Sequence, residues 1–368
     1  MRRNDYPKFT GEYKIGITEF AVDTGRDEVI RGHEGERRKL SCRLYYPATD
    51  EGIEGKEKSE YMSRQLAKAY KVDYDKEMAA GNNRIDCYKD AEPVKDKKFP
   101  LILFSHGYGA FRDSNTYMCA EIASHGYVVA AIGHPYECVA LNFPDGSCID
   151  LDKKALAQVK PMIPALIENI KLMKPKGDNK DQYNKFKAFE KKYFGSIIPR
   201  LDEWCKDADN VLDYVINNYD DRVDRDKGVG VTGHSLGGAT AHMLIRKSDR
   251  YACAVNIDGG LFGEYDDLPL ERPFMNISSN MNKTVVTGAY VGNKIPVHSA
   301  IFSDMRHLGF TDLMFFFPIK SQVGKLPADI LHRNLCGLHI RFFDKYIKGK
   351  DVEIKADDPD SVNITKKG

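Results

Sequence analysis

The sequence predicts an α/β fold with a mostly parallel central sheet flanked by helices. Three observations carry this. "FPLILFSHG" (99–107), "SNTYMCAEIASHG" (114–126) and "YVVAAIGHP" (127–135) read as strand, helix and strand, and both strands are apolar on both faces, as in a buried parallel sheet. Further short apolar runs follow at 228–233, 251–258 and 272–279. The chain is also long enough, at 368 residues with 42% hydrophobic, to bury a large core.

"YKIGITEFAV" and "KLSCRLYYPA" alternate and predict two strands, the second stopping at Pro47. Between them "DTGRDEVIRGHEGERR" is charged and predicts an exposed hairpin loop. Residues 51–98 are polar and lysine-rich, with one helical stretch near 60–72. Over 150–200 the lysine-rich "KKALAQVKPMIPALIENIKLM", interrupted by Pro161 and Pro164, and "DNKDQYNKFKAFEKKYFGSII" predict an amphipathic helical insertion. It is expected to pack as a pair of helices with solvated lysines, and the alternative is a cap over the site that exposes Phe186, Phe189 and Tyr193. "GVGVTG" (228–233), "YACAVNID" (251–258), "RPFMNISS" (272–279) and "LMFFFPI" (313–319) are expected to extend the sheet. "PADILHRNLCGLHIRFFDKYIKG" predicts a final helix that stops at Gly349.

Composition excludes some functions. Lys plus Arg number 55 against 54 for Asp plus Glu, a net charge of +1, so no nucleic-acid footprint is expected. The eight cysteines form no C-x-x-C pair and sit in apolar contexts, which predicts buried free thiols in a reducing compartment. No Cys/His cluster has metal-ligand spacing, so neither a metal nor a cofactor is expected. No apolar stretch follows Met1–Arg3 and none is long enough to cross a bilayer, so a cytoplasmic location is expected.

The stretch "GVGVTGHSLGGATAHML" (228–244) carries the chemistry. Gly233, Ser235 and Gly237 form G-x-S-x-G, with an apolar strand entering and a helical pattern leaving. Side chains at 233 and 237 would collide across so sharp a turn. The turn would hold the Ser235 hydroxyl above the sheet and point the Leu236 N–H at the oxygen of a bound acyl group. Ser235 is the candidate nucleophile, and a serine needs a base. In strand–Ser–helix turns of this kind the acid and then the histidine follow in the chain. His307, in the loop "RHLGFTD", fits best, and His298 is the alternative. Asp258 ends the buried run "YACAVNI" and is followed by Gly259 and Gly260, which makes it the candidate acid. Glu264, Asp266, Asp267 and Asp304 are its rivals. In "FSHGYGAFR", Gly107 lets the backbone approach a substrate, and the Tyr108 N–H is the candidate second oxyanion donor.

The chain resembles the platelet-activating-factor acetylhydrolase family, the plasma-type, calcium-independent α/β-hydrolases. The resemblance rests on "GEYKIGITEF", "LYYPA", "PLILFSHGYGAFRDSNTYMCAEIASHGYVVAAIGHPY", "GHSLGGAT", "NIDGG" and "RHLGFTD". It implies an α/β-hydrolase fold in one domain over 1–368, with Ser235 as nucleophile, Asp258 as acid and His307 as base. The Tyr108 and Leu236 N–H groups would hold the oxyanion. The implied activity is hydrolysis of short-acyl esters, such as platelet-activating-factor-like or oxidised phospholipids. A general carboxylesterase or polyester hydrolase is the alternative, and a non-catalytic binding protein of this fold would be expected to have lost one of the three residues. The loop over 26–37 and the insertion over 150–200 lie outside the matching pieces.

Overall fold

The structure, a computed structural model, describes residues 6–157, 162–172, 177–263, 265, 268–317 and 319–367. The first two strands, β1 (Lys14–Asp27) and β2 (Arg37–Ala48), pair antiparallel as the alternation requires. They are followed by β3 (Lys58–Glu60), β4 (Arg84–Lys89), β5 (Leu101–Ser105) and β6 (Val128–Gly133). A small hairpin, β7 (Ala140–Asn142) with β8 (Cys148–Asp150), stands apart from the main sheet. The remaining strands are β9 (Val229–His234), β10 (Tyr251–Ile257), β11 (Phe274–Ser279), β12 (Val297–Phe302) and β13 (Val362–Lys367).

The main sheet has eleven strands in the order β13-β12-β11-β10-β9-β5-β6-β2-β1-β4-β3. From β12 across to β6 every neighbouring pair is parallel. Every residue of β5 and β6 is buried, which is why their sequences run apolar without alternation. After β5 the chain moves to β6 on one side and later returns to β9 on the other. This reversal leaves a crevice at the carboxyl ends of β5 and β9, the usual place for a site in an open α/β sheet.

Among the helices, α1 (Arg64–Ala69) and α2 (Tyr74–Ala79) precede β4, and α3 (Thr116–Ser124) crosses from β5 to β6. The insertion forms α4 (Lys153–Ala157), α5 (Met162–Leu172) and α6 (Asn179–Phe194), and α7 (Ile198–Asn218) and α8 (Leu236–Lys247) flank β9. Three short helices follow, α9 (Thr287–Tyr290), α10 (Leu313–Phe316) and α11 (Lys320–Val323), and then the long α12 (Ala328–Tyr346). Helices α3 and α12 cover one face of the sheet, and α7 and α8 the other. No helix of the described residues is long and apolar enough to cross a membrane. All eight cysteines are free thiols, and seven are buried.

Several expectations are corrected. The run over 313–319 is not a strand: its first half is α10, packed through Met314, Phe315 and Phe316, and Pro318 lies outside the described residues. A short apolar run does not distinguish a buried helical turn from a buried strand. The strand positions are instead filled by β12 and by the antiparallel edge strand β13. The one helical stretch expected near 60–72 does form, as α1. Phe186 and Phe189 are not exposed: they pack with Ala165 beneath α5, beside Tyr193 and Phe194. Pro164 falls in the first turn of α5, where its missing N–H costs no helical bond, and Pro161 lies outside the described residues.

The loop between β1 and β2 is not wholly exposed either. Its Glu28 is buried and accepts from the fully buried Arg38 at 2.7 Å. Arg38 also donates to Asp207 of α7 at 2.9 and 2.6 Å. Glu137, after β6, accepts from Arg200 at 2.7 and 2.8 Å and from the Trp204 indole at 2.8 Å. His134 donates its Nδ1–H to Asp207 at 2.8 Å and stacks on Trp204 at 3.7 Å. This buried network ties the β1–β2 loop and the segment after β6 to α7. Truncating Arg38 would take a buried cation from both Glu28 and Asp207, which costs about 3–5 kcal/mol.

Histidine burial makes folding acid-sensitive. Burial holds His106 down to about 3 and His298, His332 and His339 down to about 4, against an ordinary 6.5. It holds His234 and His242 well below that value. The unfolded chain therefore binds more protons than the folded one below about pH 6.5, and stability falls with pH through that window. Urea unfolding at about pH 7.5, 6.5 and 5 should give a midpoint that is flat at first and then drops. A midpoint unchanged down to about pH 5 would show that these rings are open to protons in the folded state.

Candidate active site

The turn from β9 into α8 is crowded. Ser235 holds φ 57° and ψ −117°, a conformation that costs a non-glycine residue about 1–3 kcal/mol. The neighbours explain the glycines. A Cβ on Gly237 would lie 2.0 Å from the Ser105 carbonyl oxygen at the end of β5. One on Gly233 would lie 2.4 Å from the Gly237 carbonyl carbon. Backbone crowds backbone there, so no side chain can yield. Ser235 N–H donates to Ile257 O at 2.9 Å, which ties the turn to the end of β10.

Asp258 follows β10 directly, with φ 52°. Its carboxylate is buried, and each oxygen has a donor. Oδ1 accepts from Ser279 N–H at 2.7 Å, and Oδ2 lies 2.8 Å from His307 Nδ1. His307 opens a single helical turn over His307–Phe310, after β12. Its Nε2 is 3.0 Å from Ser235 Oγ, and its side chain is 43% exposed, so the line of groups ends in solvent-accessible space. The structure thus brings Ser235, His307 and Asp258 into one hydrogen-bonded line. A carboxylate on Nδ1 fixes that nitrogen as the donor and leaves Nε2 free to accept the serine proton.

The alternatives separate from this line. His298 lies on β12, its Nε2 2.7 Å from the Tyr346 hydroxyl. Asp304 borders a different cavity, with Arg306, Lys320 and Lys325. Glu264, Asp266 and Asp267 lie outside the described residues. Gly107 and Tyr108 stand in the wall of the Ser235 cleft, and Leu236 is the first residue of α8, where helical N–H groups have no intrahelical partner.

That cleft has a volume of about 420 Å³. Beyond Ser235 and His307 its walls are mainly apolar, from Tyr70, Phe111, Leu308, Leu313, Phe317 and Val323. Sequence reasoning missed Tyr70, Phe317 and Val323, because nothing local marks the residue after α1, the residue after α10 or the end of α11 as a neighbour of Ser235. It also missed His106, His134 and Asp207 beneath the loop of Tyr108. The described residues contain no group of three or more His, Cys, Asp or Glu side chains that could hold a metal.

Residues 1–286 match the model of the family "Platelet-activating factor acetylhydrolase, isoform II". The chain belongs to this family. The matched span includes Ser235 and Asp258, and His307 lies beyond it. The platelet-activating factor acetylhydrolase of Canis lupus familiaris is 28% identical over 99% of this chain and 85% of its own length. That of Bos taurus is 26% identical over 74% of this chain, and the chain spans only 60% of its length. A ferulic acid esterase from Streptomyces cinnamoneus shares the fold, with a TM-score of 0.69 at 22% identity and 98% coverage of both chains. The fold is that of the α/β-hydrolases, and the family places the chain among the carboxylic-ester hydrolases.

Alanine in place of the turn glycines probes this crowding directly. Gly237→Ala and Gly233→Ala should each lower thermal stability by several kcal/mol or prevent folding, since about 3 kcal/mol or more follows when backbone must move. Gly55→Ala, in open space at φ 69°, should cost only about 1 kcal/mol. Near-native melting of Gly237→Ala would mean that the turn is looser than described.

Proposed function

We propose that the chain is a serine esterase working through an acyl-enzyme, with Ser235 as nucleophile, His307 as base and Asp258 as the acid that orients it. The observation that carries this is the unbroken line of 2.8 and 3.0 Å from Asp258 through His307 to Ser235. His307 Nε2 takes the Ser235 proton as Oγ attacks the ester carbonyl, and the imidazolium then protonates the departing alkoxide. Water, deprotonated by His307, releases the acid and restores Ser235. The Tyr108 and Leu236 N–H groups are the oxyanion donors, and the chemistry calls for no metal or cofactor.

The substrate reading is an ester with a short or modest acyl group, such as a platelet-activating-factor-like or oxidised phospholipid. Family membership and the open, apolar cleft support it. A second reading, a general carboxylesterase for plant-derived or xenobiotic esters, is favoured by the rings of Phe111 and Phe317, which lie 5.6 and 5.8 Å from Tyr70 in the cleft wall. We read 1–368 as one domain that carries the helical insertion over 150–200 within it. Among the described residues the Ser235 cleft takes no lining from 150–200. Ala155, Ser196 and Ile197 instead border a cavity of about 150 Å³ on the far side of Tyr108. The partner is a small-molecule ester, and the location is cytoplasmic.

Ser235→Ala should lose about four or more orders of magnitude in ester turnover while folding normally. An organophosphate should label the wild type once and the variant not at all. Asp258→Asn should fold and lose about a thousandfold or more in kcat, whereas Asp304→Asn should stay near wild type. If Asp304→Asn is the damaging change, the acid is misassigned. Initial rates on p-nitrophenyl esters from acetyl to palmitoyl, beside a short-acyl phospholipid, decide between the two substrate readings. Treatment with EDTA should leave those rates unchanged, and a loss restored by calcium or zinc would reveal a metal site.

A further inference from the structure

Two buried imidazoles outside the Ser235–His307–Asp258 line bond backbone carbonyls of the site. His234 sits between Gly233 and Ser235, and its Nε2 lies 3.0 Å from the carbonyl oxygen of His307. A carbonyl only accepts, so Nε2 carries the proton. Burial, and the His307 ring 4.5 Å away, hold the imidazole neutral. Nδ1 is then a bare acceptor, and it is buried without a hydrogen-bond partner. An apolar side chain would fill this space without that unpartnered nitrogen, so what the imidazole supplies here is its Nε2–H.

His106 repeats the device one strand away. Its Nδ1 lies 2.7 Å from Gly107 O and must donate, and its Nε2 accepts from His134 N–H at 3.3 Å. Burial and His134 push its pKa down to about 3, so it too is neutral. Gly107 O also accepts from Ala110 N–H at 2.9 Å. In a trans peptide the C=O and N–H point opposite ways. Holding Gly107 O against His106 therefore turns the Tyr108 N–H away from His106, and Tyr108 and Ser235 line the same cleft.

We propose that His106 and His234 are positioning residues of the ester-cleaving site, His234 anchoring His307 through its carbonyl and His106 aiming the Tyr108 N–H through the carbonyl of Gly107. This rests on the roles given above to Ser235, His307 and Tyr108.

Amide side chains test it, because Asn carries its N–H₂ near the place of Nδ1 and Gln near that of Nε2. His106→Leu should lose about a hundredfold in kcat with little change in KM, and lose affinity for a trifluoromethyl ketone in parallel. His106→Asn should recover most of both. His234→Leu should lose about tenfold to a hundredfold in kcat/KM and in the rate of Ser235 labelling by an organophosphate, and His234→Gln should recover them. Folded leucine variants that keep rates within about threefold of wild type would overturn the proposal. If the leucine variants do not fold, the swapped amides decide: His106→Gln and His234→Asn place the donor wrongly, and equal activity of Asn and Gln at either position overturns it. Ser235→Ala, run alongside, separates the two layers. Turnover surviving in Ser235→Ala overturns the reading of the site, whereas turnover lost there but kept in folded leucine variants overturns only the roles of the two histidines.

Discussion

The site depends on one steric constraint: the backbone of the β9–α8 turn lies against the backbone at the end of β5. Gly237 has no room for a Cβ because Ser105 O stands 2.0 Å from where it would be, and the same crowding governs Gly233. Gly259 closes the third side, where a Cβ would lie 2.1 Å from Ser235 O. Strand ends that come this close put the residue after β9 and the residue after β10 side by side, and bring the loop after β5 along them. The strained φ of Ser235 is held by the packing of strand ends and helix around it.

The loop that carries Tyr108 has a different support. It is held from below by His106, by His134 on Asp207, and by the Glu137 carbonyl that accepts Gly109 N–H at 2.9 Å. Asp207 and Glu137 belong to a network with Arg38, Glu28, Arg200 and Trp204 that is almost entirely withdrawn from water. Burying so many charges is a poor way to gain stability, since well-packed apolar groups of like volume often do as well. Its structural consequence is geometric. Fixed charge pairs allow one arrangement of the β1–β2 loop, the segment after β6 and α7, and that arrangement sets the height of the Tyr108 loop above the sheet.

The cleft is shaped by pieces from distant parts of the chain: Tyr70 just after α1, the loop after β5, the turn of His307, and the segment from α10 to α11. These are short elements on the rim, whereas the Ser235 turn sits on the buried centre of the sheet. A rigid centre with a rim of short segments keeps the two apart, because side chains at 70, 111, 313 or 317 can alter the shape of the cleft without touching the strand ends.

The sequence by itself determined the parallel core and the residues of the line. Period and composition mark β5, β6, β9, β10 and β11, because strands buried on both faces must be apolar throughout. The G-x-S-x-G turn marks Ser235, because its glycines answer to a local collision. A charged residue at a strand end marks Asp258, and its place in chain order marks His307. The tertiary structure alone decided what depends on distant partners. Whether "LMFFFPI" is strand or helix is settled by packing on the core, and β13 exists only because β12 offers an open edge. Phe186 and Phe189 read as exposed because their cover, Ala165 and Val285, comes from other segments. His106 and His234 look like any other histidines in the sequence. Their significance lies in which carbonyl each nitrogen reaches, and that distance is set by the fold and not by neighbouring residues.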